Sequence, residues 1–137
     1  MTEKQKMLMG ILYNAEDQAL IEERNHAKSL TRQFNEHWED KGRRNYLIGQ
    51  IFGSLGKNVH LEAPIYLDYG YRTTIGSDFF SNFNLTILDG GGVEIGDHVF
   101  IGPNVGIYTA NHPADDERSE KRDMNGLSQV KIGDKVW

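Results

Sequence analysis

The hydrophobic positions in the first third of the chain recur at helical spacing. Four of them fall on one face of a helix that begins near residue 15, and charged residues fill the opposite face. Asn14 can cap this helix. A second helical run extends from Tyr46 to Leu55, where Gly56 favours a stop, and residues 37–45 read as a turn. We predict an N-terminal α-helical segment over residues 1–57, whose first helix has the apolar face Leu20, Ala27, Leu30 and Phe34.

From residue 58 onward the hydrophobic period changes to six. Ile95, Ile101 and Ile107 are spaced in this way, and the same form begins earlier at Ile75 and resumes later at Ile132. In each unit the aliphatic residue is often followed by glycine and then by polar or turn-forming residues. Such a period is typical of a parallel β-helix, in which three units make one coil and each aliphatic side chain stacks on another about eighteen residues away. The alternative is an ordinary β-sandwich with glycine-rich turns.

The six-residue period is interrupted twice. Within residues 89–96 the register shifts by two residues, which indicates a bulged corner. Residues 113–129 are polar and mixed in charge, so they do not fit the stacked core. We predict that the coil occupies residues 58–137 and that segment 113–129 projects from it as a loop.

Composition narrows the possible functions. The chain has 137 residues, a net charge of −5 and no cysteine. The charge gives no reason to expect nucleic acid or an anionic membrane as a partner. The missing cysteines exclude disulfides, thiolate catalysis and cysteine-based zinc sites. The N-terminus reads as neither a signal peptide nor a membrane span, so we expect a cytoplasmic protein that does not contact membrane.

His112 is the candidate for chemistry. It ends a regular six-residue unit at the point where the polar segment departs, and such a position is rigid on one side and adaptable on the other. Histidine can act as a base near neutral pH, because its unperturbed pKa is about 6.5. The alternative is a surface histidine that only begins a loop.

Three segments of the chain resemble the maltose/galactoside O-acetyltransferase family of hexapeptide-repeat acyltransferases. They are the N-terminal MLMGILYNAEDQALIEERNHAKSLTRQFN, the central YLDYGY to ANHP with its SNFN and IGPNV motifs, and the resumed VKIGDKVW. Asp68 in LDYGY is similar to the maltose type. The resemblance implies a mainly β protein with a left-handed parallel β-helix behind the helical segment. It also implies a homotrimer, with each active site between two subunits.

The activity implied by this resemblance is direct transfer of acetyl from acetyl-CoA to a sugar hydroxyl such as that of maltose or glucose. His112 would be the general base. Asn82, Asp68 and Met124 would line the acceptor side, and Trp137 would belong to the acetyl-CoA side. Family members usually carry an acid directly after the aromatic residue at Tyr13, where this chain has Asn14, so Asp17 is the nearest substitute. Asn82 and Asp68 also suit turns, and Asp17 also suits a helix start.

The resemblance also implies that family members continue beyond the position of Trp137, with further coils, most acetyl-CoA contacts and the oxyanion donor. We therefore expect this chain to be a truncated or donor-deficient form. The alternative function is a non-catalytic homotrimeric scaffold. A histidine-metal lyase like the γ-type carbonic anhydrases would need three converging imidazoles, and the sequence places only His112 suitably, so we expect no metal.

Overall fold

The computed structural model describes residues 1–111 and 124–137. Three helices occupy the N-terminal part: α1 (Glu3–Leu8), α2 (Gln18–Glu36) and α3 (Lys41–Ile51). Thr2 and Gln5 form a capping box at α1. The helical segment therefore forms as the apolar pattern predicts, with one additional short helix at its beginning.

The predicted helix ends need correction. Asp17 rather than Asn14 caps α2, because its Oδ2 accepts the amide of Ala19 at 3.2 Å, while Asn14 Oδ1 accepts the amide of Glu16 in the preceding turn. Helix α3 begins earlier than predicted, behind the cap Asp40. It also ends earlier, since the chain after Ile51 is drawn into the first sheet, where Gly53 donates to the carbonyl of Thr73.

Thirteen strands of two to four residues lie in the described part of the chain. They are β1 (Tyr13–Asn14), β2 (Ser54–Leu55), β3 (Val59–Leu61), β4 (Ile65–Leu67), β5 (Thr73–Ile75), β6 (Phe79–Ser81), β7 (Leu85–Leu88), β8 (Val93–Ile95), β9 (Phe100–Ile101), β10 (Gly106–Tyr108), β11 (Ala110–Asn111), β12 (Met124–Leu127) and β13 (Val130–Ile132). Strand β2 lies before the predicted coil boundary at residue 58 and already pairs with β5.

The coil consists, in the described residues, of three parallel sheets with the orders β2-β5-β8-β13, β3-β6-β9 and β4-β7-β10. The parallel coil behind N-terminal helices is the architecture that the six-residue period predicts. Its length per turn differs, because neighbouring coils pair residues twenty apart and not about eighteen apart as three plain hexapeptides would require. The extra residues lie at the corner after β4 and β7, in the segments 68–72 and 89–92.

Stacked aliphatic side chains form the core. Ile65 pairs with Leu85, and Ile87 pairs with Leu67 and Ile107, all on the inner side of one sheet. Each is at most 6% exposed, whereas Tyr66 between them is 51% exposed. Because side chains alternate along a strand, one face of each sheet is dry and the other faces outward. Phe34 of α2 and Leu47, Ile48 and Ile51 of α3 join the same cluster and cover the first coil.

A small antiparallel sheet stands outside the coil. Strand β12 pairs with β1 on one side and with β11 on the other. The predicted projecting loop 113–129 therefore contains a strand over Met124–Leu127, and the loop residues up to 123 lie outside the described residues. Strand β13 then rejoins the coil on β8, at the predicted resumption of the six-residue pattern.

Hydropathy gives no indication of a membrane span: none of the helices within residues 1–111 and 124–137 has the length and apolar character to cross a bilayer.

The core predicts a large effect of a single truncation in its middle strand. We expect Ile87→Ala to lower the free energy of unfolding by about 2–5 kcal/mol, because it removes a fully buried side chain between two coils. Urea unfolding measures this difference. Thr86→Ala, on the outward face of the same strand, is the control. Equal losses in the two variants would contradict the assigned core.

Candidate active site

The corner between β4 and β5, residues 68–72, carries the first group of candidate side chains. Asp68 begins it, and its amide donates to the carbonyl of Ile87 in the next coil at 3.1 Å. Gly70 has φ +78, and a Cβ at this residue would lie 2.5 Å from the carbonyl oxygen of Ile51. The glycine therefore permits the corner to approach the end of α3 closely.

Asp68 lies half-buried beside two cations of α2. Burial raises the pKa of its carboxyl, and the charges of Arg24 and Lys28 act in the opposite direction. The predicted acceptor-side acid is therefore placed next to positive charge. In this arrangement the carboxylate of Asp68 can accept hydrogen bonds from hydroxyl groups, and Arg24 and Lys28 can donate hydrogen bonds to them.

Arg24 and Tyr69 lie at this corner as well, and the sequence analysis did not name them. Arg24 Nη1 donates to the hydroxyl of Tyr69 at 2.9 Å, and Tyr69 is only 5% exposed. Burial raises the pKa of Tyr69 to about 12, so its hydroxyl stays protonated at neutral pH. In the sequence Arg24 looked like part of a solvated helix face. Its spacing from Lys28, four residues along the same flank, was the available signal.

Asp89 stands directly behind this corner and is fully buried. Its Oδ1 accepts the amide of Tyr69 at 2.8 Å, and its Oδ2 accepts the hydroxyl of Thr73 at 2.9 Å. Burial raises the pKa of the Asp89 carboxyl, and the charge of Asp68 raises it further, whereas these two hydrogen bonds and a third from the backbone of Asp89 itself lower it. One carboxylate thus connects the corner after β7 to the corner after β4.

The adjacent flank of α2, about 100° around the helix axis from Arg24, holds the same corner by a second set of contacts. Glu23 accepts the hydroxyl of Tyr71 at 2.6 Å and pairs with Lys4 of α1 at 2.7 Å. A cavity of about 600 Å³ opens on this flank, between α2, α3 and the corner. Arg24 and Glu23 therefore fix two neighbouring tyrosines from two sides of one helix.

The described residues on either side of segment 112–123 come together in the antiparallel sheet. Strand β11 ends at Asn111, directly before His112, and β12 begins at Met124. The register pairs Met124 with Asn14, whose amide donates to Glu3 at 2.7 Å. His112 itself lies outside the described residues, and of Met124 the structure describes the backbone. Asp17, which follows strand β1 in the sequence, is the cap of α2.

Asn82 is not brought to the same place. It lies at the corner between β6 and β7, where its Oδ1 accepts the amide of Phe83 at 2.8 Å. Asp68 lies at the other end of the same sheet, next to the last residues of β7. A strand rises about 3.3 Å per residue, so the four residues of β7 separate these two corners by roughly 10 Å or more. One small acceptor group cannot contact both residues within one chain.

Trp137 lies next to β9, because the amide of Phe100 donates to the carbonyl of the preceding residue, Val136. It is 97% exposed and borders a cavity of about 340 Å³ together with Asp78, His98, Val99 and Phe100. For metal, the described ranges contain no group of three or more His, Cys, Asp or Glu side chains arranged as ligands.

Comparison with known proteins shows the family to which the chain belongs. Residues 6–56 match the maltose acetyltransferase hexapeptide capping motif. The chain is 46% identical to a maltose O-acetyltransferase from Clostridium difficile 630, whose structure superposes with a TM-score of 0.95 over 100% of this chain and 73% of that one. This chain belongs to the maltose/galactoside O-acetyltransferase family.

Two further relatives agree with this family membership. A galactoside acetyltransferase solved in complex with coenzyme A is 32% identical, with a TM-score of 0.87 over 99% of this chain and 74% of that chain. The galactoside O-acetyltransferase of Escherichia coli K12 is 36% identical over 97% of this chain and 66% of its own length. The chain thus spans about two thirds to three quarters of these family members.

The buried carboxyl of Asp89 predicts a specific dependence of stability on pH. Its pKa is raised in the folded state above the ordinary value of 3.8, so the folded protein binds this proton more tightly than the unfolded chain. The parent therefore loses stability as pH rises from 3.8 through the folded-state pKa. Asp89→Asn carries no such charge, so its free energy of unfolding should rise relative to the parent across that window.

Urea unfolding at a series of pH values measures this difference. Thr31→Val removes a buried hydroxyl and no titratable group, so its difference from the parent should not depend on pH. A difference between Asp89→Asn and the parent that is constant or shrinks with rising pH would show that the carboxyl is not penalised by burial.

Proposed function

We propose that the chain belongs to an enzyme that transfers acetyl from acetyl-CoA to a hydroxyl of a maltose- or glucose-like sugar. The observation that carries the proposal is its likeness, over the whole chain, to a maltose O-acetyltransferase. A relative bound to coenzyme A supports acetyl-CoA as the donor. The proposal includes the left-handed form of the coil, the cytoplasmic location and the division at residues 57 and 58 that the sequence predicted.

The proposed chemistry is a direct attack. His112 accepts the proton of the acceptor hydroxyl, the hydroxyl oxygen forms a bond to the thioester carbonyl carbon, and the sulfur of coenzyme A leaves. Strand β11, which ends one residue before His112, is held by β12. Trp137 is proposed to contact the donor, and no metal takes part.

The acceptor would bind at the corner 68–72. Asp68 can accept hydrogen bonds from sugar hydroxyls, and the guanidinium of Arg24 stands beside it. Asp17 and Met124 are proposed to close this side, since both belong to the segments that join in the antiparallel sheet and its helix cap. Neutral polyhydroxylated molecules suit such a mixture of acceptors and donors.

The proposed assembly is a homotrimer, with each site shared between two copies. The separation of Asn82 from Asp68 supports it, because a second copy could place its own Asn82 corner against the Asp68 corner of the first. Exposed aromatic side chains also surround the Asn82 corner. Phe83 is 50% exposed, and Phe100, at 48%, stacks on Phe80 at 4.7 Å between ring centroids. Aromatic surface of this kind is typical of interfaces.

The first prediction of this proposal concerns His112. In an acetyl-CoA turnover assay over a panel of sugars, we expect His112→Ala to lower the rate on the order of 10²- to 10⁴-fold, because a general base contributes about that much. His37→Ala changes the histidine at the C-terminal end of α2 and is the control. A variant as fast as the parent would exclude His112 as the base. No turnover by the parent with any sugar would favour the non-catalytic scaffold.

The second prediction concerns the shared site. Asn82→Ala and Asp68→Ala should each lose most of the turnover when expressed alone. Coexpressed with different tags and purified as mixed trimers, they should regain activity, since in each mixed ring about a third of the interfaces join the intact Asn82 of one copy to the intact Asp68 of the next. Mixed trimers as inactive as either variant would contradict a site built from two copies.

A further inference from the structure

Asp89 is an unusual side chain for a structural corner. It is fully buried, and the donors bonded to its carboxylate, among them the Tyr69 amide and the Thr73 hydroxyl, are neutral. Burial of a carboxylate is costly unless hydrogen bonds or opposite charge compensate it. Most corner carboxylates of the coil avoid this cost. Asp97 makes the same bond to the amide twenty residues earlier, that of Ser77, but lies exposed to water.

The contacts of Asp89 lead towards the proposed acceptor site. Its bond to the Tyr69 amide fixes the peptide between Asp68 and Tyr69. The ring of Tyr69 then carries its hydroxyl to Arg24 Nη1, and the guanidinium lies 5.8 Å from the ring centroid. Arg24 in turn lies close enough to influence the charge of Asp68. The contacts therefore run from Asp89 to Tyr69, from Tyr69 to Arg24 on α2, and from Arg24 back to the corner at Asp68.

We propose that Asp89 is a positioning residue for acceptor binding: its buried carboxylate fixes the corner that presents Asp68 and Tyr69, and through Tyr69 it fixes the guanidinium of Arg24. This inference rests on the proposed function and adds to it a residue that does not contact the acceptor. It also gives a reason for a buried carboxyl group in a coil where Asp78, Asp97 and Asp134 at other corners are exposed to water.

A purely structural role makes a different prediction. If Asp89 only stabilised the coil, its removal would lower stability and affect the binding of both substrates alike. If it positions the acceptor corner, the Michaelis constant for the sugar should rise while that for acetyl-CoA and kcat stay close to the parent values. The two substrates therefore distinguish the two roles.

The test compares Asp89→Ala, Asp89→Asn and Tyr69→Phe with the control Asp97→Ala. With the best sugar acceptor of the panel, we expect Asp89→Ala and Tyr69→Phe each to raise the Michaelis constant for the sugar about three- to tenfold, the range expected for loss of one net hydrogen bond. Asp89→Asn retains an oxygen for the Tyr69 amide and should lie between parent and Asp89→Ala. Asp97→Ala should leave both Michaelis constants unchanged.

A second measurement does not require turnover. Amide hydrogen exchange should be faster at Tyr69 in Asp89→Ala and faster at Ser77 in Asp97→Ala, each without an effect on the other residue. The NMR signal of the Arg24 guanidinium should shift in Asp89→Ala and in Tyr69→Phe, but not in Asp97→Ala.

Each outcome decides the inference. Equal increases in the two Michaelis constants, or faster exchange at Tyr69 with no change for the sugar, would overturn the positioning role. If the parent acetylates no sugar, the proposed function fails. The NMR signal of Arg24 then decides whether Asp89 positions the guanidinium. An unchanged Arg24 signal in Asp89→Ala would overturn the inference, and a shifted signal would support it.

Discussion

Everything in this chain depends on the stacking of aliphatic side chains from one coil onto the next. Residues such as Ile65, Leu85 and Ile87 are buried only because another coil lies above or below them. A single coil could not exclude water from them, so each coil must repeat the path of its neighbour. The spacing is twenty residues from β4 to β7 and from β5 to β8, and the repeated path makes every corner a place where polar groups meet at regular intervals.

The corners satisfy these polar groups in two ways. At the outward corners, side chains bond to the equivalent residue of the next coil in contact with water, as Asn84 does with Asn104 and Asn58 with Asp78. At the corner after β4 and β7 the chain is longer, and α2 covers it. Here the polar groups are buried, and the carboxylate of Asp89 accepts a hydrogen bond that water would accept at an exposed corner. The candidate site therefore occurs at the corner where the chain is longer and where α2 covers it.

Helix α2 therefore has two functions in the fold. Its apolar face, with Leu20 and Phe34, covers core clusters. Its flanks carry Arg24 and Glu23, which bond to Tyr69 and Tyr71. A helix that served only to cover the coil would need the apolar face alone. The bonds on both flanks fix its rotation, and they place positive charge next to Asp68 on one side only.

The sequence predicted what periodicity controls and missed what tertiary contacts control. The spacing of Ile95, Ile101 and Ile107 was sufficient to predict parallel coils, since burial alone sets it. The helix ends were wrong by several residues, because Asp17 competed with Asn14 for the cap and the coil captured the chain after Ile51. Arg24 and Asp89 were missed because each acquires its partner from a residue distant in the sequence. The spacing of Arg24 from Lys28 marks a basic flank but not the partner Tyr69.

The antiparallel sheet has a consequence for how this fold can vary. The chain makes a long excursion between β8 and β13. The amide of Asp97 nevertheless donates to the side chain of Asp134, just as the amide of Ser77 donates to the side chain of Asp97. Strand β12, paired on both sides, anchors the returning chain before it rejoins the coil. Changes in the length of the excursion are absorbed ahead of that anchor, so new contacts beside the corner can evolve there without disturbing the alignment of the layers beneath.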